Sequence, residues 1–145
     1  MTTAMTQTIA RLLFLPALMV ALATLVKGYA DTGDGFTAGV IAALAVLLQV
    51  VAFGVDETER RLPLHAAPAV AFAGVVLALV VAFLPVLFGR PIMTHAPAPG
   101  SAVIHLGTLE LITAVAFDVG VFLLVLGFAV STIGLIARLQ PRETP

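Results

Sequence analysis

The sequence contains no cysteine and few charged residues. Of its 145 residues, 10% are charged, and only three are histidines. The lack of cysteine excludes disulfides and thiolate metal sites. It also means that cysteine usage does not indicate whether the protein's compartment is oxidising or reducing. His65, His95 and His105 are too far apart in sequence for a known ligand spacing. We therefore expect no bound metal and no cofactor.

The chain also lacks a basic run. Its seven Lys and Arg residues are scattered, and its formal net charge is −1. Nucleic-acid binding requires a dense basic face opposite the phosphates, so we expect no nucleic-acid partner.

Apolar residues are abundant instead. They make up 61% of the chain, and the mean hydropathy is +1.15, whereas soluble domains contain roughly 45–50% apolar residues. Four apolar segments approach the roughly 20 residues that a helix needs to cross the bilayer, where backbone groups must be bonded internally. The sequence therefore predicts an all-α integral membrane protein with a single domain over residues 1–145. This domain would be a bundle of four transmembrane helices, at about 9–27, 35–54, 66–88 and 109–137.

The first segment also has features of a cleavable secretory signal. Arg11 precedes the apolar run, and Ala21 and Ala23 form an A-x-A pattern. The positive region holds only this one arginine, however, and the run continues past Ala23. We favour a retained helix.

The distribution of basic residues predicts the orientation. Positive residues are retained in the cytoplasm. One side would hold only Lys27 and Arg90, and the other would hold five residues from the termini and the loop "VDETERRLPLH", which are Arg11, Arg60, Arg61, Arg138 and Arg142. Both termini are therefore predicted to be cytoplasmic, with an outward Pro-rich loop at about 89–108.

Small residues recur at helical spacing in three of the segments. Such stripes allow close backbone approach, which holds helices together in lipid. They comprise Gly35, Gly39 and Ala43, then Ala67, Ala71, Gly74, Ala78 and Ala82, and finally Gly120, Gly127, Ser131 and Gly134. An Ala-rich membrane protein also produces some of these pairs by chance.

The fourth segment has two faces that are unsuited to lipid. Asp118 projects about 200° around the helix axis from Gly120, and a carboxylate in hydrocarbon costs at least ~2.5 kcal/mol. Four short helices offer little room to bury both faces. We therefore expect the chain to work inside a larger membrane assembly.

The polar stretch "GYADTGDGFTAG" at 28–39 interrupts the apolar sequence. Its Asp31-Thr32-Gly33 triplet matches aspartic proteases, but those enzymes require two such triplets on a β scaffold. An EF-hand is excluded because Gly33 and Ala42 occupy positions that need acids. A simpler interpretation is a turn in which Asp34 caps the second helix.

For Asp118 a structural interpretation also stays open. It is the tenth residue of a segment longer than one span, so it could be a water-accessible residue in the outer leaflet.

Two stretches together resemble the MnhB/MrpB family, the B subunits of Mrp-type multisubunit Na⁺/H⁺ antiporters. "KGYADTGDGFTAGVIAALAVLLQVVAFG" is similar to the family's G-H-x-x-P-G-G-G-F-x-x-G pattern. "FDVGVFLLVLGFAVSTI" at 117–133 resembles its more specific F-D-[IV]-G-V-Y-L-x-V-x-G signature. The motif and packing positions are Gly28, Gly33, Gly35, Phe36, Gly39, Phe117, Gly120 and Gly127.

The first pattern is incomplete. Tyr29 replaces the usual His, Thr32 the Pro and Asp34 the middle Gly. These departures indicate a divergent branch, with Asp34 added to an outward-facing surface.

The resemblance implies a small membrane component that carries no antiport by itself and is not an enzyme. Its partners would be the other membrane subunits and the lipid bilayer, in a bacterial inner-membrane complex that exchanges Na⁺ for H⁺. A scaffold component of a related membrane-bound hydrogenase or respiratory-type complex is the alternative. Two roles stay open, a structural one through the glycine stripes and an ion route or polar anchor formed by Asp118, Asp34 and Asp31.

Overall fold

The computed structural model describes residues 3–27, 33–89, 91–92 and 107–139, with side chains from 113 onward in the last range. These residues form four long helices, α1 (Ala4–Lys27), α2 (Asp34–Phe53), α4 (Ala67–Leu87) and α5 (Gly107–Leu139), and one short helix, α3 (Val55–Arg61). A 3₁₀ turn at Leu64–Ala66 leads into α4. The predicted all-helical fold with four spans long and apolar enough to cross a membrane is confirmed.

The long helices lie in a row. α2 packs between α1 and α5, and α4 packs on the other side of α5. Within the described residues the backbone of α4 does not come close to that of α1 or α2. The two outer helices therefore leave most of their apolar side chains for lipid or for another protein.

The last helix is the longest element. α5 has 33 residues, about 50 Å at ~1.5 Å per residue, against ~30 Å of hydrocarbon. It reaches α2 with one face and α4 with another, so it joins the two halves of the row.

Helix α3 corrects the sequence analysis, which treated "VDETERRLPLH" as a loop. Gly54, with φ 83°, ends α2, and its carbonyl accepts the Thr58 hydroxyl at 2.7 Å. Glu57 stands in the first turn and Arg61 in the last, and the two form an ion pair of 2.6 Å between Oε1 and Nη2. Acids at the start and bases at the end of a helix complement its dipole, which favours this short helix.

The outward Pro-rich loop lies mostly outside the described residues.

Candidate functional site

The carboxylate of Asp118 lies in the contact between α5 and α2. Its residue is 5% exposed. Oδ2 of Asp118 accepts a hydrogen bond of 3.3 Å from the backbone N–H of Gly33, the residue that precedes α2. A carboxylate on one helix thus bonds to the N-terminus of another.

The first turn of α2 explains this contact. A helix leaves its first N–H groups without intrahelical partners, and their dipoles favour an anion. Gly33 is the N-cap residue, with φ 118°, and it has no side chain to accept these bonds. Asp118 supplies the acceptor from α5.

The prediction that Asp34 caps α2 is therefore wrong. Asp34 is the first helical residue, and no side-chain cap is formed at this end. Its Oδ2 is buried without a hydrogen bond, and Nζ of Lys27 lies 3.6 Å from that oxygen. The contact is an ion pair that is too long to be a hydrogen bond. Asp34 thus contributes charge near the N-terminus of α2, while the bond to the backbone comes from Asp118.

Glycines of α2 allow α5 to approach this closely. A Cβ added at Gly35 would collide with the backbone carbonyl of Asp118. One turn on, a Cβ at Gly39 would lie 2.9 Å from Cβ of Val125 and 3.0 Å from the carbonyl oxygen of Phe122. Because any side chain would separate the helices, these two positions set the distance between α2 and α5.

The other glycine face of α5 packs against α4. A Cβ at Gly120 would lie 2.9 Å from the backbone nitrogen of Ala78, and one at Gly127 would collide with that of Ala71. Gly74 of α4 makes the reciprocal approach to α5. Gly134 differs, because a Cβ there would meet nothing within 4 Å.

These contacts overturn one step of the sequence argument. We expected that four helices could not bury both the Asp118 face and the Gly120 face of α5. The chain itself covers both, one with α2 and the other with α4. The need for a larger assembly does not follow from these two faces.

Other predicted residues lie elsewhere. Phe36 is 58% exposed on α2, and Phe117 is half-buried beside Asp118. Gly28 and Asp31, together with Tyr29 and Thr32, lie outside the described residues. No group of three or more metal-binding side chains occurs within the part of the chain that the structure describes.

The opposite ends of these helices carry further polar contacts. Gln49 of α2 donates from Nε2 to the carbonyl of Ala10 in α1 at 2.7 Å, which joins the two helices. Arg138, at the end of α5, contacts both carboxylate oxygens of Glu59 in α3 at 2.8 and 2.7 Å.

Two arginines at this same end share one aromatic ring. The guanidinium carbons of Arg11 and Arg61 lie 4.9 and 5.2 Å from the ring centre of Phe53. We call this end, which carries Arg11, Arg60, Arg61 and Arg138, the arginine-rich end. The only signal in sequence was the number of basic residues.

Comparison with known proteins gives a consistent result. Residues 5–131 match the family model described as a domain related to the MnhB subunit of Na⁺/H⁺ antiporter. The B subunit of the Na⁺/H⁺ antiporter of Bacillus subtilis is 32% identical over 88% of this chain and 87% of its own. The protein of the same name from Alkalihalophilus pseudofirmus is 33% identical, over 77% of this chain and 76% of its own.

A third relative is much longer. The probable K⁺/H⁺ antiporter A/B subunit of Rhizobium meliloti is 32% identical over 84% of this chain, which corresponds to 13% of that protein.

Proposed function

Because the chain belongs to the MnhB family, it is a membrane subunit of a multisubunit antiporter, and we propose that its task in the complex is to lock α2 and α5 together around Asp118. The observation that carries this proposal is the hydrogen bond from Gly33 N–H to Oδ2 of Asp118. The chain is then a transporter component without an enzymatic activity of its own.

The energetics of a buried carboxylate support the anchor role. An ionised group in hydrocarbon costs at least ~2.5 kcal/mol unless it is paired. The N-terminus of α2 carries the equivalent of roughly half a positive charge, and hydrogen bonds to a charged acceptor are about twice as strong as neutral ones. Asp118 therefore has a partner within its own chain, and it needs no bound cation to remain buried.

A second candidate role is an ion route. Asp34 and Asp118 both lie at the N-terminus of α2, and Oδ2 of Asp34 accepts no hydrogen bond. With Asp31 close by in sequence, these acids would attract cations from the side of the membrane that they face. In this role the negative charge of Asp118, rather than its hydrogen bond, would be needed for antiport.

Two substitutions of the same residue separate the roles. Asp118→Asn keeps an oxygen that can accept from Gly33 N–H but removes the charge, whereas Asp118→Ala removes both. The complex would be produced with all its subunits, its assembly measured by co-purification, and antiport measured in inverted membrane vesicles. The anchor role predicts that Asp118→Asn assembles and exchanges cations for protons near the wild-type rate, while Asp118→Ala assembles poorly.

The ion-route role predicts a different result for Asp118→Asn. The complex would then assemble in wild-type amounts with antiport lost. Under the ion-route role Asp34→Asn should also lower antiport, whereas the anchor role predicts antiport near the wild-type rate, because Oδ2 of Asp34 accepts no hydrogen bond.

We also propose an antiporter protein of the A type as a direct partner. Support comes from the Rhizobium meliloti relative, whose name joins the A and B types and of which this chain matches a small part. The relatives are named for both Na⁺ and K⁺. We propose Na⁺ as the cation that this complex exchanges for protons. The alternative of a hydrogenase or respiratory-type scaffold has no support from these relatives, and we do not propose it.

We propose that the chain is a single helical domain that spans the inner membrane of a bacterial cell. Both termini would then face the cytoplasm. The arginine-rich end supports this orientation, because it carries four of the basic residues in the described ranges, whereas Lys27 lies at the end with Asp34. Cytoplasmic ends of membrane proteins are enriched in Lys and Arg.

A further inference from the structure

A pocket of about 270 Å³ opens between α1, α2 and α3 at the arginine-rich end. Its wall is mostly apolar, with Phe14, Phe53 and Leu62 contributing, and Arg11 and Arg61 bring positive charge to it. The anchor role and the ion-route role proposed above use none of these residues.

The two guanidinium groups are held at the pocket by the Phe53 ring. Both lie within the ~6 Å at which a cation is attracted to an aromatic face. Arg61 donates from Nε and Nη2 to Oε1 of Glu57, at 3.0 and 2.6 Å. A guanidinium has five N–H donors, so Arg61 retains donors for a second anion.

Arg11 brings a positive charge to the pocket without an ion-pair partner among the described residues. The pocket therefore combines an apolar wall with positive charge, and this combination complements a ligand that has an apolar part and an anionic part.

We expect the pocket to lie near the depth of the lipid headgroups. α1 has 24 residues, about 36 Å, which exceeds the ~30 Å of hydrocarbon, so its first turns reach the membrane surface. Arginines near such ends extend their guanidinium groups towards the headgroups. Next to Arg11, Leu12 is 69% exposed and Leu15 is 64% exposed, as expected for a helix side that faces acyl chains.

We propose that this pocket binds an anionic phospholipid. The headgroup phosphate bonds to Arg11 and to the remaining donors of Arg61, because guanidinium groups suit phosphate geometry. The start of an acyl chain lies along Phe14 and Leu62. The lipid connects α1 to α3 in a row where α1 otherwise packs almost entirely against α2.

The test uses the whole antiporter complex, purified in mild detergent and reconstituted into nanodiscs. One sample contains a photoactivatable phosphatidylglycerol and the other the matching phosphatidylcholine, and cross-linked peptides are mapped by mass spectrometry. We expect phosphatidylglycerol to label segments 11–14 and 53–62 about tenfold more than phosphatidylcholine does, since each basic residue near a membrane surface adds to the attraction for anionic lipid.

The variant Arg11→Gln/Arg61→Gln should lose this preference. Arg60→Gln is the matched control, because it removes one positive charge from the same helix but does not line the pocket, and it should keep the preference. If the double variant does not assemble, competition on the wild-type complex decides, where unlabelled phosphatidylglycerol should suppress labelling and phosphatidylcholine should not.

Three results would overturn the proposal. Equal labelling by the two lipids would remove the role of charge. Suppression by excess inorganic phosphate as strong as that by phosphatidylglycerol would indicate a site for a small anion. Absence of labelling in the wild-type complex would mean that another protein of the complex covers the pocket.

Discussion

The backbone nitrogen of Gly33 and Oδ2 of Asp118 are 3.3 Å apart, although 85 positions separate the two residues in the chain. The N-terminus of α2 therefore depends on α5, and the buried carboxylate of α5 depends on α2. Neither helix satisfies its own polar group. Because each helix depends on the other, a substitution that moves α2 relative to α5 should break this hydrogen bond.

We expect Gly35→Ala to lower the stability of the fold by about 1–3 kcal/mol, because overpacking a tight contact costs this much. The added methyl group would collide with the carbonyl of Asp118. Gly134→Ala is the control, since its methyl group meets nothing within 4 Å and alanine favours helix. The measurement is the temperature at which each variant complex aggregates in detergent. Equal temperatures for the two variants would refute the close approach.

Gly127→Leu should prevent α4 from packing on α5, because the new side chain would collide with the backbone of Ala71. The protein should then be degraded in cells, and its amount in membranes, measured by immunoblot, should fall several-fold. Gly134→Leu adds the same side chain to α5 in open space and should accumulate normally. A Gly127→Leu protein that is stable but absent from the complex would instead assign this face to a partner.

Single cysteines should report the orientation, because the chain has none of its own. The side chains of Arg60 and Lys27 are 79% and 68% exposed, so a cysteine at either position is accessible. A membrane-impermeant maleimide should label Arg60→Cys in inverted vesicles and Lys27→Cys in right-side-out vesicles, with at least a severalfold difference between preparations. The reverse pattern would place the termini outside.

The ion pair between Glu59 and Arg138 should contribute less than about 1 kcal/mol, because its side chains are 30% and 53% exposed and water and salt screen such pairs. Arg138→Gln should lower the aggregation temperature slightly, and less so at high salt. The charge-reversed double variant Glu59→Arg/Arg138→Glu should recover most of the loss. A large drop that persists at high salt would show that Arg138 has another partner.

Much of the architecture was determined by the sequence itself. Four long apolar runs require four spanning helices, because unsatisfied backbone groups are excluded from hydrocarbon. The residues that approach other helices were also visible at helical spacing, since Gly35, Gly39, Gly120 and Gly127 recur every four or seven positions. A carboxylate in the middle of an apolar run singled out Asp118 for the same energetic reason.

Only the tertiary structure decided which helices meet. Periodicity specifies that a helix has a small-residue face, but not which other helix covers it, so the sequence could not predict that α2 and α4 occupy the two faces of α5. The cap of α2 was misassigned to Asp34 because local rules consider neighbours in sequence, whereas the acceptor comes from Asp118 across a helix contact. The meeting of Arg11 and Arg61 at Phe53 likewise arises from packing between α1, α2 and α3, which no local pattern encodes.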